Sequence, residues 1–274
     1  MAVRNRSQVW RAPSGESLAV TSPRGMGNRL LGILPQADFD LLAPELEKVA
    51  LNQDVVLSQA GERMEHVFFP HSGAISLMIE MANGQTVATA AIGREGAIGI
   101  LSVFGPSLSV ITASVRMAGT ASRIPAARFH AAFSRSPAIR QAVQVHITSL
   151  LTQFQLGVAC NALHPVGARM ARWLLQLRDC SDSDVLPLTQ EALSQMLGVR
   201  RTTVTLLMRN LRESGAIRSD RRGKIEVDRP RLAAAACECH ASMRRQIAEI
   251  FSTSAPRSRV WAIPVNATDT DKAV

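Results

Sequence analysis

An α+β fold in three parts is predicted by three observations. Short β-prone runs separated by Gly, Pro, Asn and Asp fill residues 49–125. A long helical pattern opens at Pro137. The stretch LTQEALSQMLGVRRTTVTLLMRNLRESG, Leu188–Gly215, carries two helical patterns joined by a short turn.

Residues 1–27 mix Arg, Ser, Pro and Gly without periodicity, so a disordered arm is expected there. From Asn28 apolar residues fall at helical spacing, but Pro35 and Pro44 interrupt it, which predicts short helices. The runs VALNQDVVL, HVFFP, AISLMIEM, TVATAAI, SVITASVRM and TASRIP then spell an antiparallel barrel or sandwich. Asn83-Gly84, between two of these runs, is the signature of a type I′ hairpin.

After Pro125, AARFHAAFSRS reads as a short helix, and Pro137 opens the long one. Within it Ile139, Val143, Ile147, Leu150, Phe154 and Val158 follow 4-4-3-4-4 spacing, near that of a coiled-coil seam. Leu151 and Leu156 broaden the stripe. Part of this face packs on the chain's own β domain, and the rest predicts a dimer helix over 137–162. Pro165 is well placed to start the next helix, which buries Met170, Trp173, Leu174 and Leu177 as the floor of the C-terminal domain. SDSDVLP reads as a polar connection, RPRLAAAACECHASMRRQIAEIF as one further helix, and residues 252–274 as a loose tail.

The two-helix stretch is the most informative. Thr189 can cap the first helix, with Glu191 favoured in its first turn, and Gly198 ends it. The turn Gly198-Val199-Arg200 is too short for independent motion. In the second helix Val204, Leu207, Met208 and Leu211 form one apolar stripe, while Thr202, Thr205, Leu206 and Arg209 lie opposite, with Arg201 at the entering end. Gly215 stops the helix, and the strands AIRS and KIEV follow around Asp220-Arg221-Arg222-Gly223. A helix-turn-helix with such a hairpin is a winged helix.

Eight cations against Glu213 and Asp220 give Leu197–Lys224 a net +6, two-thirds of the +9 on the whole chain. Arginines at a helix start and a wing tip sit where phosphates pass on either side of a groove. Double-stranded DNA is therefore the expected partner. The expected contacts are Thr189, Gln190, Arg200, Arg201, Thr202, Thr203, Thr205, Leu206, Arg209, Arg221, Arg222 and Lys224. The competing reading is a ligand- or partner-binding sensor module whose winged helix contacts protein or RNA.

With its β-rich first half, long helix and the pattern L-T-Q-E-x-L-x-x-x-L-G-V-x-R-x-T-V, the chain resembles the Crp/Fnr family of bacterial transcription regulators from about Asn28 to Phe251. GERMEHVFFPHSGAISL and IGREGAIGI are similar to a branch of that family. The resemblance implies a cyclic-nucleotide-binding-like β-roll over 28–136, homodimerisation through the long helix, a DNA-binding winged helix-turn-helix over 163–251, and recognition helices (201–214) reading a near-palindrome. It makes RNA polymerase a candidate partner. Arg201 matches the family's arginine at the start of the recognition helix, which can grip guanine O6 and N7, and Thr203-Val204 matches its Thr-Val pair. Thr202 stands where the cyclic-AMP-responsive members carry Glu, and Leu206 where they carry a second base-reading Arg, so a different operator is expected.

In the resemblance the sensor pocket falls at Gly96, Gly99, Ile100, Leu101, Ile111 and Thr112. Gly99-Ile100-Leu101 replaces the Gly-Glu-Leu that binds ribose, and SLSVITASV supplies no arginine for a cyclic phosphate. A buried phosphate without a cation is strongly disfavoured. Cyclic AMP and cyclic GMP are thus not expected as effectors, and no cofactor is assigned.

The remaining features exclude other classes. No Ser/His/Asp order, nucleophile elbow or P-loop points to an enzyme. No signal-peptide-like run opens the sequence and no 18-residue uncharged apolar stretch occurs, so a cytoplasmic protein without membrane contact is expected. Four irregularly spaced cysteines suit a reducing compartment. No metal site is expected: Cys237 and Cys239, one residue apart on a helix, would point to different faces, and a closed site needs four ligands.

Overall fold

The computed structural model describes residues 27–105, 108–181, 183–220 and 223–254. Residues 1–26 of the expected arm, the tail from residue 255, and Arg221 and Arg222 lie outside these.

Asn28 fixes the start of the sensor-like domain. Its side-chain oxygen accepts from the Leu30 and Leu31 amides at 3.1 Å each and so caps α1 (Arg29–Gly32). Its Nδ2 donates to the carbonyls of Pro70 and Gly96, both at 2.9 Å, tying that cap to the strands. The short helix α2 (Gln36–Phe39) and a 3-10 turn at Ala43–Glu45 follow, as the two prolines require.

Seven strands form two antiparallel sheets: β1 (Glu47–Leu51), β2 (Val56–Ser58), β3 (His66–Pro70), β4 (Ala74–Glu80), β5 (Thr86–Ile92), β6 (Thr112–Met117) and β7 (Gly119–Pro125). Their orders are β1-β7-β3 and β2-β6-β4-β5. Between them lies a core of Val49, Leu51, Phe68, Ile75, Leu77 and Val115. The run VALNQDVVL is two strands, because Asp54 adopts φ 64 and turns the chain. The β4–β5 connection is not type I′: Gly84 alone has positive φ, and its amide donates to the Met81 carbonyl at 2.8 Å. That is a type I turn with a glycine bulge, in which the Asn83 side chain accepts from the Gln85 amide.

Helix α3 (Ala126–Arg135) leads to the 27-residue α4 (Pro137–Leu163), capped by Ser136, whose hydroxyl accepts from the Ile139 amide at 3.0 Å. Here the expected dimer stripe is corrected. Ile139 and Val143 are buried among Leu30, Phe39 and Phe129, and Leu150 enters the core between the sheets. A helix lying on a β domain spends its strongest apolar face there. The open face of α4 is instead Gln141, Gln144, Thr148, Leu151, Gln155, Val158 and Ala162, which repeats every three or four residues.

Helix α5 (Val166–Ser181) buries Met170, Trp173, Leu174 and Leu177 as expected. Next come β8 (Val185–Pro187), α6 (Gln190–Leu197), α7 (Arg201–Glu213), β9 (Ile217–Ser219), β10 (Lys224–Val227), α8 (Arg229–Ala235) and α9 (Cys239–Thr253). The supposed polar connection contains β8, which pairs with β10 through Leu186 and Ile225 and makes a three-stranded wing sheet. The core of this unit is continuous with Met78, Ala88 and Met117 of the first domain. Gln53 Nε2 donates to the Pro187 carbonyl across that junction at 2.6 Å. Gly93 allows the close approach: a Cβ there would stand 2.8 Å from Cys180 Sγ.

The expected final helix is two helices, broken at 236–238. By chain order α9 belongs with the winged helix, but it runs back along α4 and buries Met243, Ile247 and Phe251 in the N-terminal core. Arg29 stacks over the Phe251 ring at 4.1 Å. Among the described residues no helix is long and apolar enough to cross a membrane.

Candidate functional site

Helices α6 and α7 are locked to each other before any ligand is considered. Thr189 Oγ1 accepts from the Ala192 amide at 3.0 Å, and Gly198, at φ 64, ends α6 in the left-handed region. Val204, Met208 and Leu211 are buried, which leaves one side of α7 facing out. On that side Arg201, Thr202, Thr205, Leu206 and Arg209 are exposed, and Thr203 is half-buried. Thr189 and Gln190, expected at the DNA, hold structure as well: Gln190 Oε1 accepts from Thr205 Oγ1 at 2.9 Å.

No side chain caps the start of α7. The Thr203 amide donates to the Arg200 carbonyl at 2.9 Å, which leaves the Arg201 and Thr202 amides at the helix start beside the exposed Arg200 and Arg201 side chains, an arrangement that suits an anion. Arg209 is paired with Glu213 at 3.6 Å one turn along. Arg212 donates to Ser219 Oγ at 3.0 Å and Arg218 lies 4.0 Å from Glu226, so these two brace the wing. Lys224 is exposed at the start of β10. Leu206 is 49% exposed on the outer face of α7.

A second site lies in the β-roll. A cavity of about 300 Å³ is bounded by Gly99, Ile100, Leu101 and Ile111, four of the six residues expected there. Gly96 and Thr112 are not in its wall. Gly96 backs it instead, since a Cβ there would lie 3.2 Å from the His146 ring. The buried His146 and Leu150 of α4 line it together with Leu77, and the exposed Phe104 stands at its edge. Sequence periodicity alone could not show that α4 turns these two residues inward. Burial lowers the His146 pKa to about 4, which keeps the imidazole neutral at physiological pH. Among the described residues no Lys or Arg lines the cavity.

A third grouping was not expected. Cys160, His164, Cys237 and Cys239 converge, with their ligand atoms all within 4.8 Å of one another. The break before α9 is the reason: Cys237 is not helical, so it and Cys239 turn to the same place. The legible signal was Cys160 and His164 at i and i+4, on one helix face.

A β-roll joined by a long helix to a winged helix with a basic recognition face defines a DNA-binding regulator with a sensor-like domain. Residues 48–136 match the cyclic nucleotide-binding domain family and residues 168–235 match the Crp-like helix-turn-helix domain family. The chain belongs to the Crp/Fnr family of transcription regulators. It is 24% identical over 226 residues to the global nitrogen regulator of Nostoc sp., covering 78% of this chain and 96% of that protein. Its fold is similar to a Crp/Fnr-family regulator of Eubacterium rectale (TM-score 0.61, 16% identity, 75% of this chain and 96% of the other). It is also similar to FixK2 of Bradyrhizobium japonicum (TM-score 0.59, 16% identity, 70% and 98%). A third similar structure is the c-di-GMP-responsive global regulator CLP of Xanthomonas campestris (TM-score 0.59, 15% identity, 70% and 99%). These are regulators, not enzymes.

Proposed function

We propose that the chain is a cytoplasmic homodimer that reads a near-palindromic operator through α7 and does not respond to cyclic AMP or cyclic GMP. The observation that carries the DNA reading is the start of α7, which has no side-chain cap and has Arg200 and Arg201 exposed beside the Arg201 and Thr202 amides. Arg201 reads guanine, and Arg209 and Lys224 engage phosphate. Leu206 meets a thymine methyl group in place of a second guanine contact.

The dimer forms along the open face of α4, where Leu151 and Val158 stand seven residues apart and are 51% and 71% exposed. This assigns the seam to other residues than Ile139, Val143 and Leu150. Of the original stripe Val158 remains, with Ile147 and Phe154 at its edge.

The wall of the β-roll cavity, largely apolar and without Lys or Arg among the described residues, supports the effector reading. A cyclic phosphate there would be buried without a counter-charge, at a cost of several kcal/mol. An uncharged apolar molecule fits the wall better, and His146 and Leu150 would carry its presence directly to α4.

Selection from a random duplex pool at near-physiological salt tests the function. The expected result is a split motif with half-sites about 34–36 Å apart, centre to centre. Failure to enrich any motif, with purified protein and again with cell extract added, would overturn it.

A further inference from the structure

The end of α4 meets the break between α8 and α9 at the joint where the long helix hands over to α5. Cys160 and His164 lie one helical turn apart there, with His164 as the C-cap of α4. Opposite them stand Cys237 and Cys239. Cys160 Sγ is 3.5 Å from Cys237 Sγ, and Cys239 Sγ is 3.5 Å from His164 Nδ1. All three thiols are buried, and the imidazole is half-buried.

We propose that Cys160, His164, Cys237 and Cys239 form a closed tetrahedral site for a single thiophilic divalent ion of the zinc type. The spacing fits. Metal–sulfur bonds of about 2.3 Å in a tetrahedron place the sulfurs about 3.8 Å apart, close to the 3.5 Å between Cys160 and Cys237 Sγ and within the 4.8 Å that spans the whole ligand set. The donors fit as well. Three thiolates and one imidazole suit zinc, whereas magnesium and calcium take oxygen ligands. In a four-iron cluster each thiolate binds a different iron, and the ligands stand wider apart than in this set.

The orientation of His164 is the most specific observation. Its Nδ1 faces the thiols while its Nε2 lies 3.2 Å from Glu238 Oε1. A carboxylate that accepts the second ring N–H is the usual way of fixing the tautomer and angle of a metal-binding imidazole. Simple core packing would require neither the carboxylate nor the histidine. A Cys160–Cys237 disulfide would use two of the four groups and leave Cys239, His164 and Glu238 without a purpose.

The four residues lie outside both matched segments, 48–136 and 168–235, so the site is not part of either domain family. Its position gives it a consequence. A bound ion would join the end of α4 to the start of α9, across the His164-Pro165 joint, and hold the winged helix at one angle to the β-roll.

The test uses the full chain purified under reducing conditions. Metal analysis should find about one zinc per chain. After chelator treatment, cobalt(II) should give the visible bands of a tetrahedral ion together with a thiolate charge-transfer band. Cys239→Ser should weaken that charge-transfer band. Should this variant fail to fold, Glu238→Gln keeps all four ligands and should bind cobalt roughly 10- to 100-fold more weakly with an unchanged spectrum. Folded, reduced protein that carries no metal and gives no cobalt spectrum would overturn the site. So would a Cys160–Cys237 disulfide in metal-free protein taken directly from cells.

Discussion

Thr205 of the recognition helix donates its hydroxyl proton to Gln190 Oε1 at 2.9 Å, and the Arg201 carbonyl, 3.1 Å away, is the alternative acceptor. The angle between α6 and α7 is thus set by a polar clasp at the surface as well as by the buried stripe beneath it. Residues on the exposed side of α7 and at the start of α6 thus position one another without any ligand.

Thr205→Val, which removes the clasp but keeps the shape, should destabilise the protein by about 0.5–1.5 kcal/mol, toward the lower end because the bond is solvent-exposed. Thr205→Ser should restore most of this. Chemical denaturation measures both, and a Val variant as stable as the parent would show that the clasp contributes nothing.

Arg201→Ala should weaken operator binding by about 1–3 kcal/mol and relax the preference at one base pair, because a bidentate guanine contact is lost. Arg209→Ala should act differently, since its proposed partner is a phosphate and its charge is partly satisfied by Glu213. It should lower affinity evenly across sequences and reduce the salt slope by about 1. Titrations at several salt concentrations separate the two patterns.

The double change Leu151→Glu and Val158→Glu should give a folded monomer, because both side chains are exposed within the chain. Ile139→Glu should unfold the protein instead, since Ile139 is buried in its own core. Sedimentation paired with circular dichroism reads both outcomes. A stable dimer in the double variant would place the seam elsewhere.

His146 provides a pH test. Its pKa falls from 6.5 to about 4 on burial, so between these values the unfolded chain binds a proton that the folded chain refuses. Stability is fully present above pH 6.5 and is lost as pH falls toward 4, by an amount on the order of 3 kcal/mol for this group. His146→Phe should flatten that part of the stability curve. Equal slopes in parent and variant between pH 6.5 and 4 would rule out the buried neutral imidazole.

The winged helix was legible because its signals are local. Thr189 caps, Gly198 stops, and Val204, Met208 and Leu211 repeat within a few residues of chain, so sequence order and spatial order coincide. The basic run also reads directly, since charge on a short segment stays on that segment when it folds.

Tertiary structure decided what depends on distant residues. The periodicity of α4 shows that it has an apolar stripe but not what covers it, and the covering turned out to be Leu30, Phe39 and Phe129 of the same chain. The spacing of Cys237 and Cys239 seemed to separate them until a break in the helix turned both toward Cys160, 77 positions away from Cys237. The sequence by itself determined the long and strongly periodic helices, most of the strands and where the charge lies, because these follow from neighbours along the chain, whereas strand β8 and the break between α8 and α9 rest on tertiary contacts. Only the tertiary structure decided which faces are spent, which cavity forms and which ligands meet, because those follow from contacts that no local pattern encodes.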